Sequence, residues 1–216
     1  MRQFPCGNFV GRNLVWGVDV LNYSGTGSTL VDSVGSNNLT LLSSPTYTAT
    51  PPSLTFDSMT GGSTANTANI QVNTGTITVW AAPTSGNTGF RGVLTKENAY
   101  GIFVVNNKLA IYDWGNAALR DTGITVGNGS WQMFSLSFLN INGGPPNNAI
   151  LYLNGIAVLT TTLQLGNQAT TGIWLASNKN TQGFVGAISS AYLYGDVITQ
   201  PELLAHYNNT KSRFSL

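Results

Sequence analysis

Charge is what this sequence has least of: 8% of its 216 residues are Asp, Glu, Lys or Arg, against about 25% in an average soluble chain. Nine basic and eight acidic residues leave a net charge of +1. The basic residues form no stripe, so the sequence offers no footprint for a phosphate backbone. Cysteine is almost missing, and the lone Cys6 excludes an intrachain disulfide. The single histidine, His206, stands on a predicted helix beside Tyr207, and no second histidine exists to act as a base for Cys6. Glutamate occurs twice, as Glu97 and Glu202, whereas glycoside hydrolysis needs a pair of carboxylates flanking the scissile bond. No apolar run approaches the roughly 20 residues of a membrane-spanning helix. The opening Met1-Arg-Gln-Phe-Pro-Cys-Gly-Asn lacks the apolar stretch of a secretory signal. These absences predict a non-enzymatic chain made in the cytoplasm, with no nucleic-acid partner, no membrane partner and no signal peptide or transmembrane segment.

What is present is strand. Segments 14–20, 39–42, 53–56, 76–81, 92–96, 101–105, 108–113, 131–139, 149–153, 156–161, 171–176 and 184–194 carry strand signals, punctuated by Gly, Asn, Pro and Ser clusters. Val105-Asn-Asn-Lys108 and Leu153-Asn-Gly-Ile156 place residues tolerant of positive φ in two-residue hairpin turns. In Phe134-Ser-Leu-Ser-Phe the apolar positions face one way and the serines the other, and in Thr76-Ile-Thr-Val-Trp the indole of Trp80 points away from Ile77 and Val79. Such faces pack against a second sheet about 10 Å away. At the C-terminal end Thr199 and Glu202 stand three apart ahead of Leu203, Leu204 and Tyr207, with Pro201 in the first turn, which predicts one short helix opened by a capping box. The length suits a single all-β domain, with a surface solvated by Ser, Thr, Asn and Gly. Such a surface suits packing against other proteins or binding sugars.

The strand Phe184-Val-Gly-Ala-Ile-Ser-Ser-Ala-Tyr-Leu-Tyr running into Thr199-Gln-Pro-Glu202 and the tail Tyr207-Asn-Asn-Thr-Lys-Ser-Arg-Phe214 resembles the end of concanavalin A-like, laminin G-like jelly-roll domains. The opening from Leu14-Val-Trp-Gly-Val-Asp through Asp32-Ser-Val-Gly-Ser-Asn-Asn-Leu39 resembles the start of the same domains. Pro52-Ser-Leu-Thr-Phe-Asp57, Gly129-Ser-Trp131-Gln-Met-Phe and Ala149-Ile-Leu-Tyr-Leu-Asn-Gly155 resemble their intermediate strands, in order. The two ends look most like the versions found in virion proteins of tailed phages and large DNA viruses. The resemblance implies an antiparallel jelly-roll sandwich over 14–209, an N-terminal arm over 1–13 and a tail over 210–216. It also implies a virion structural protein decorating a capsid or tail, assembled with other virion proteins. A carbohydrate-binding module or adhesin that engages a cell-surface glycan is the alternative. Glucanases that share this architecture carry several acids alternating on one strand, and no strand here does.

Three sets of residues are candidates. Tyr112, Asp113, Trp114, Asn116, Arg120 and Asp121 put aromatics, an amide and acids in a predicted loop beyond a strand, the ingredients of a sugar platform; the plainer reading makes Trp114 a cover for a core edge. Trp16, Trp131 and Trp174 fall at packing positions. Calcium is the metal such domains suggest; Asp57 has no second acid nearby, Asp113 and Asp121 flank one predicted loop and could meet around an ion, and no cofactor is expected. Arg2, Phe4, Arg12, Lys211, Arg213 and Phe214 gather basic and aromatic residues at the chain ends, as interface anchors do, against the plainer reading of solvated termini.

Overall fold

The structure, a computed structural model, describes residues 12–42, 44–58, 61–166, 171–179 and 181–216. Its strands in chain order are β1 (Leu14–Asp19), β2 (Thr29–Leu30), β3 (Leu39–Leu41), β4 (Thr46–Ala49), β5 (Pro52–Asp57), β6 (Gly62–Ser63), β7 (Gly75–Pro83) and β8 (Phe90–Lys96). Then follow β9 (Tyr100–Val105), β10 (Lys108–Asp113), β11 (Ala118–Thr125), β12 (Gln132–Phe138), β13 (Ala149–Leu153), β14 (Ile156–Thr161), β15 (Trp174–Leu175) and β16 (Val185–Tyr194). The helix α1 (Gln200–Thr210) and a 3-10 turn, Lys211–Phe214, close the chain.

All pairings are antiparallel and build two sheets. The first runs β14-β13-β12-β7-β16-β5-β4, and β1 also pairs with β16; the second runs β11-β10-β9-β8-β15-β6-β3-β2. Together they are the jelly-roll sandwich expected from the sequence. Between them lies one continuous core that includes Trp16, Ile77, Val79, Phe134, Leu136, Ile102, Val104 and Ile111. Tyr100 of the second sheet stacks on Phe138 of the first at 5.0 Å between centroids, and its hydroxyl donates to the Ile70 carbonyl at 2.7 Å. Burial pushes that phenol well above the usual tyrosine range.

Both expected hairpins form. Asn106 and Asn107 have φ of 51° and 62° between β9 and β10, and Asn154 and Gly155 have 53° and 80° between β13 and β14. Gly155 is required twice over, because a Cβ there would lie 2.5 Å from the Leu204 backbone of α1.

The segment read as a loop over 112–121 is instead a hairpin. β11 pairs with β10, Tyr112 opposite Leu119 and Ile111 opposite Arg120, with the turn confined to the residues around Trp114. Ala-Leu-Arg-Asp-Thr-Gly-Ile-Thr is an edge strand whose residues alternate only between half-buried and exposed, so apolar periodicity does not announce it. β4 is likewise an edge strand with no buried residue.

The outer face of the first sheet is not solvated. Ser135 donates to Thr78 at 3.1 Å and Ser137 to the Ile198 carbonyl at 2.9 Å, so the serines that alternate with the core positions are buried and tie down the segment leading into α1. Trp80 does point away from the core, and there it stacks on Tyr207 at 5.6 Å and Phe214 at 4.3 Å; Phe214 also lies 4.6 Å from Trp131. Arg213 grips Asp19 with both terminal nitrogens, at 3.0 and 2.7 Å, the two side chains being 5% and 1% exposed. Asp19 also accepts from the Tyr192 hydroxyl at 3.0 Å.

This arrangement corrects the expected docking role of Arg213 and Phe214, and it gives Lys211 and Arg12 partners within the domain. Arg213 and Phe214 are interior groups that close the domain, Lys211 lies 5.4 Å over the Tyr207 ring, and Arg12 donates through Nε to Glu202 at 2.9 Å. Arg2 and Phe4 lie outside the described residues.

The capping box is present: Glu202 Oε2 accepts from the Thr199 N–H at 2.9 Å and from its hydroxyl at 2.6 Å. The Thr199 hydroxyl, with Arg12 and the Thr199 amide, holds the Glu202 carboxyl down to about 2 against an opposing effect of burial. A carboxyl depressed in the fold stabilises fully above its unfolded value near 4.5 and loses that contribution as pH falls through the folded one. Thr199→Ala should therefore cost about 1 kcal/mol in urea melts at neutral pH, and the gap between mutant and wild type should narrow between pH 4.5 and 2. Phe214→Ala should cost roughly 3–5 kcal/mol in the same melts, the ordinary result of emptying a buried aromatic site; a loss below about 1 kcal/mol would show the tail to be dispensable.

Candidate functional site

The outer face of the second sheet carries an aromatic cluster that no helix covers among the described residues. Alternation along the strands puts Phe90 of β8, Phe103 of β9 and Tyr112 of β10 on this face, with Trp114 just past β10. Phe90 meets Phe103 at 6.2 Å and Tyr112 at 5.8 Å, both edge-on, while Trp114 lies 5.8 Å from Phe103 and 5.6 Å from Tyr112. Phe103 is buried; the other three rings are half exposed.

A cavity of about 270 Å³ opens over these rings, completed by Glu97, Asn178 and Gln182. Glu97 occupies the turn joining β8 to β9, held by the Ala99 amide on the Lys96 carbonyl at 3.0 Å and by Asn98 at a φ of 64°. Asn178 and Gln182 come from the segment between β15 and β16. That segment passes directly over β8: the Gly92 amide donates to the Gln182 carbonyl at 2.8 Å, and a Cβ on Gly92 would stand 2.4 Å from the Ser177 carbonyl oxygen. Asn178 donates to Gln182 Oε1 at 2.9 Å and accepts from the Thr95 hydroxyl at 3.3 Å. The Gln182 oxygen is thus engaged, which leaves the amide nitrogen of Gln182 as a donor at the cavity. Lys179 Nζ lies 3.3 Å from Glu97 Oε2, yet that buried oxygen receives no aligned hydrogen bond.

Of the six residues predicted for this region, the structure brings Tyr112 and Trp114 into the cavity. Asp113 faces the other way and is fully buried, accepting from Asn116 at 2.9 Å, Arg120 at 3.1 Å and the Gln164 amide at 3.0 Å. It knots the β10 to β11 turn onto the chain after β14, and Asn116 and Arg120 serve that knot. Asp121 is opposite Ala110, on the face away from Asp113, where it accepts from the Gly123 amide at 2.6 Å and lies 3.9 Å from Lys108. Asp113 and Asp121, the pair that could have held calcium, do not meet: opposite sheet faces separate them. No group of three or more His, Cys, Asp or Glu converges among the described residues.

Phe90, Phe103, Glu97, Asn178 and Gln182 were missed from the sequence. One signal existed: Tyr-Gly-Ile-Phe-Val-Val in β9 is apolar without alternation, as in a strand buried on both faces, and a buried outer face calls for something on top of it. The rest come together only through the adjacency of β8 and β15.

Chemically, half-exposed rings present their faces to apolar C–H surfaces, while a carboxylate and an amide fix hydroxyl groups. Glu97 is the one acid among the described residues lining the cavity, so the paired carboxylates of a glycoside hydrolase are not assembled there.

A model of the concanavalin A-like lectin/glucanases superfamily matches residues 57–204, a span that contains every residue of the cavity. The chain belongs to that superfamily. No curated protein sequence matches it. Among solved structures, domain 4 of AbnA, an extracellular arabinanase from Geobacillus stearothermophilus in complex with arabinotriose, is similar at 18% identity and a TM-score of 0.66, over 91% of this chain and 98% of that one. A structure of botulinum neurotoxin type C, a toxin whose uptake into cells depends on two ganglioside molecules, is similar at 12% identity and TM-score 0.67, over 92% of this chain and 51% of that one. Trypanosoma rangeli sialidase in complex with sialic acid is similar at 11% identity and TM-score 0.70, over 94% of this chain and 34% of that one. This chain therefore spans about half of the toxin structure and a third of the sialidase; at these identities the likeness is one of fold.

Proposed function

We propose that this chain is a non-enzymatic carbohydrate-binding domain whose site is the aromatic cavity on the outer face of the second sheet. The observation that carries this reading is the meeting of Phe90, Tyr112 and Trp114 with Glu97 and Gln182 around one opening. Rings supply stacking surface, and the polar pair supplies orientation. The superfamily gives the reading its setting, and two of the similar structures, the arabinanase domain and the sialidase, hold sugars. A surface poor in charge and rich in hydroxyl and amide groups is consistent with such a ligand.

The test is a glycan array on the purified protein and on Trp114→Ala. The wild type should bind a subset of glycans, and the variant should lose at least tenfold in affinity, about 1.4 kcal/mol, with an unchanged thermal midpoint. A variant that binds like wild type would place the site elsewhere, and a variant that unfolds would return Trp114 to a packing role.

A second proposal concerns setting. The resemblance of the two chain ends to virion proteins supports a domain carried on a viral particle, with other virion proteins as partners and a host glycan as the ligand. Mass spectrometry of purified particles should then find the chain at stoichiometric copy number; its absence from them would remove this proposal and leave the sugar site untouched.

A further inference from the structure

Resting on the reading of the cavity as a sugar site, we infer that it selects uncharged sugar residues and turns away sugar acids, and that Glu97 is the residue that decides this. The cavity is lined by four aromatic side chains, two amides and one carboxylate. Glu97 is 17% exposed and its Oε2 is buried with no aligned hydrogen bond. A carboxylate that lines a cavity accepts and never donates, so the ligand groups that suit it carry protons. Sugar hydroxyls are such groups: one donates to Glu97 while another accepts from the Gln182 amide.

A ligand carboxylate meets the opposite environment. It brings a second negative charge into a half-enclosed space beside the first, and like charges close together disfavour the ionised pair. The ring faces are the negative side of the aromatic quadrupole and offer an anion nothing.

The cations nearby are engaged elsewhere. Arg91 donates to the Thr88 carbonyl at 2.8 Å and the Gly183 carbonyl at 3.3 Å. Arg120 serves Asp113 on the other face of its sheet. Lys96 is buried with Asn66 and the Thr171 carbonyl. Lys179, 61% exposed, lies against Glu97 itself, so a sugar acid that recruited it would take from Glu97 its nearest counter-charge.

The experiment reads the wild type, Glu97→Gln and Trp114→Ala against an array holding neutral oligosaccharides together with their sialylated and uronate-bearing counterparts, with the best matched pairs followed by calorimetry. Wild type should bind the neutral member of each pair at least tenfold more tightly than the acidic one. Glu97→Gln, folded by its thermal midpoint, should weaken neutral binding about tenfold and narrow the difference between the members of a pair. Binding of no glycan, or binding that Trp114→Ala leaves intact, overturns the sugar site and this inference with it. Binding that Trp114→Ala abolishes but that favours the acidic members, or that Glu97→Gln leaves unchanged, keeps the sugar site and overturns this inference alone.

Discussion

The outer face of the first sheet carries Trp80, Met133, Tyr152 and Tyr192, more apolar surface than a face open to water sustains, and the buried grip of Arg213 on Asp19 fastens the cover over it. Burying two charges costs desolvation free energy, which close pairing and further hydrogen bonds offset. Asp19 is answered by both guanidinium nitrogens, the Tyr192 hydroxyl and the Leu21 amide. The geometry this demands places Phe214 between Trp80 and Trp131, and α1 beside them. A sandwich of two sheets has four faces. Two make the core, and α1 with its tail takes a third. The remaining one, on the second sheet, holds aromatics that no helix covers among the described residues, which supports the sugar site proposed there.

How much of this could be read from the residues depended on whether the cause was local. The two-residue turns at Asn106 and Asn154, the alternation in β12 and the box at Thr199 are local, and each appears as expected. β2, β6 and β15 are two residues long, and nothing in two residues marks a strand; neighbouring chain recruits them. β11 is an edge whose half-buried side faces little, so its composition follows solubility more than packing.

The site divides the same way. Tyr112 and Trp114 stand two apart on one strand direction, and period two alone puts them on one face. The same rule sends Asp113, one residue from each of them, to the opposite face of β10. Asn178 and Gln182 lie some eighty residues beyond Glu97 and reach it because β15 inserts beside β8, a pairing that no spacing in the chain announces.

Scarcity of charge makes each charge informative. Among the acids, Asp19 anchors the tail, Asp32 accepts from the Gly17, Val34 and Asn37 amides at 3.2, 3.1 and 3.3 Å, and Asp113 knots the β10 to β11 turn. Asp121 accepts from the Gly123 amide within its own strand, Asp196 accepts from the Asn13 amide at 2.8 Å, and Glu202 caps α1. Each is spent on a backbone amide or an internal cation, the work that a chain so poor in charge assigns to its carboxylates. Glu97 differs from these six: its partner is an exposed lysine, its Oε2 is buried without an aligned donor, and it lines a cavity of rings. A buried acceptor left without an aligned donor costs free energy, and among the described residues Glu97 Oε2 is the one carboxylate oxygen that carries this cost.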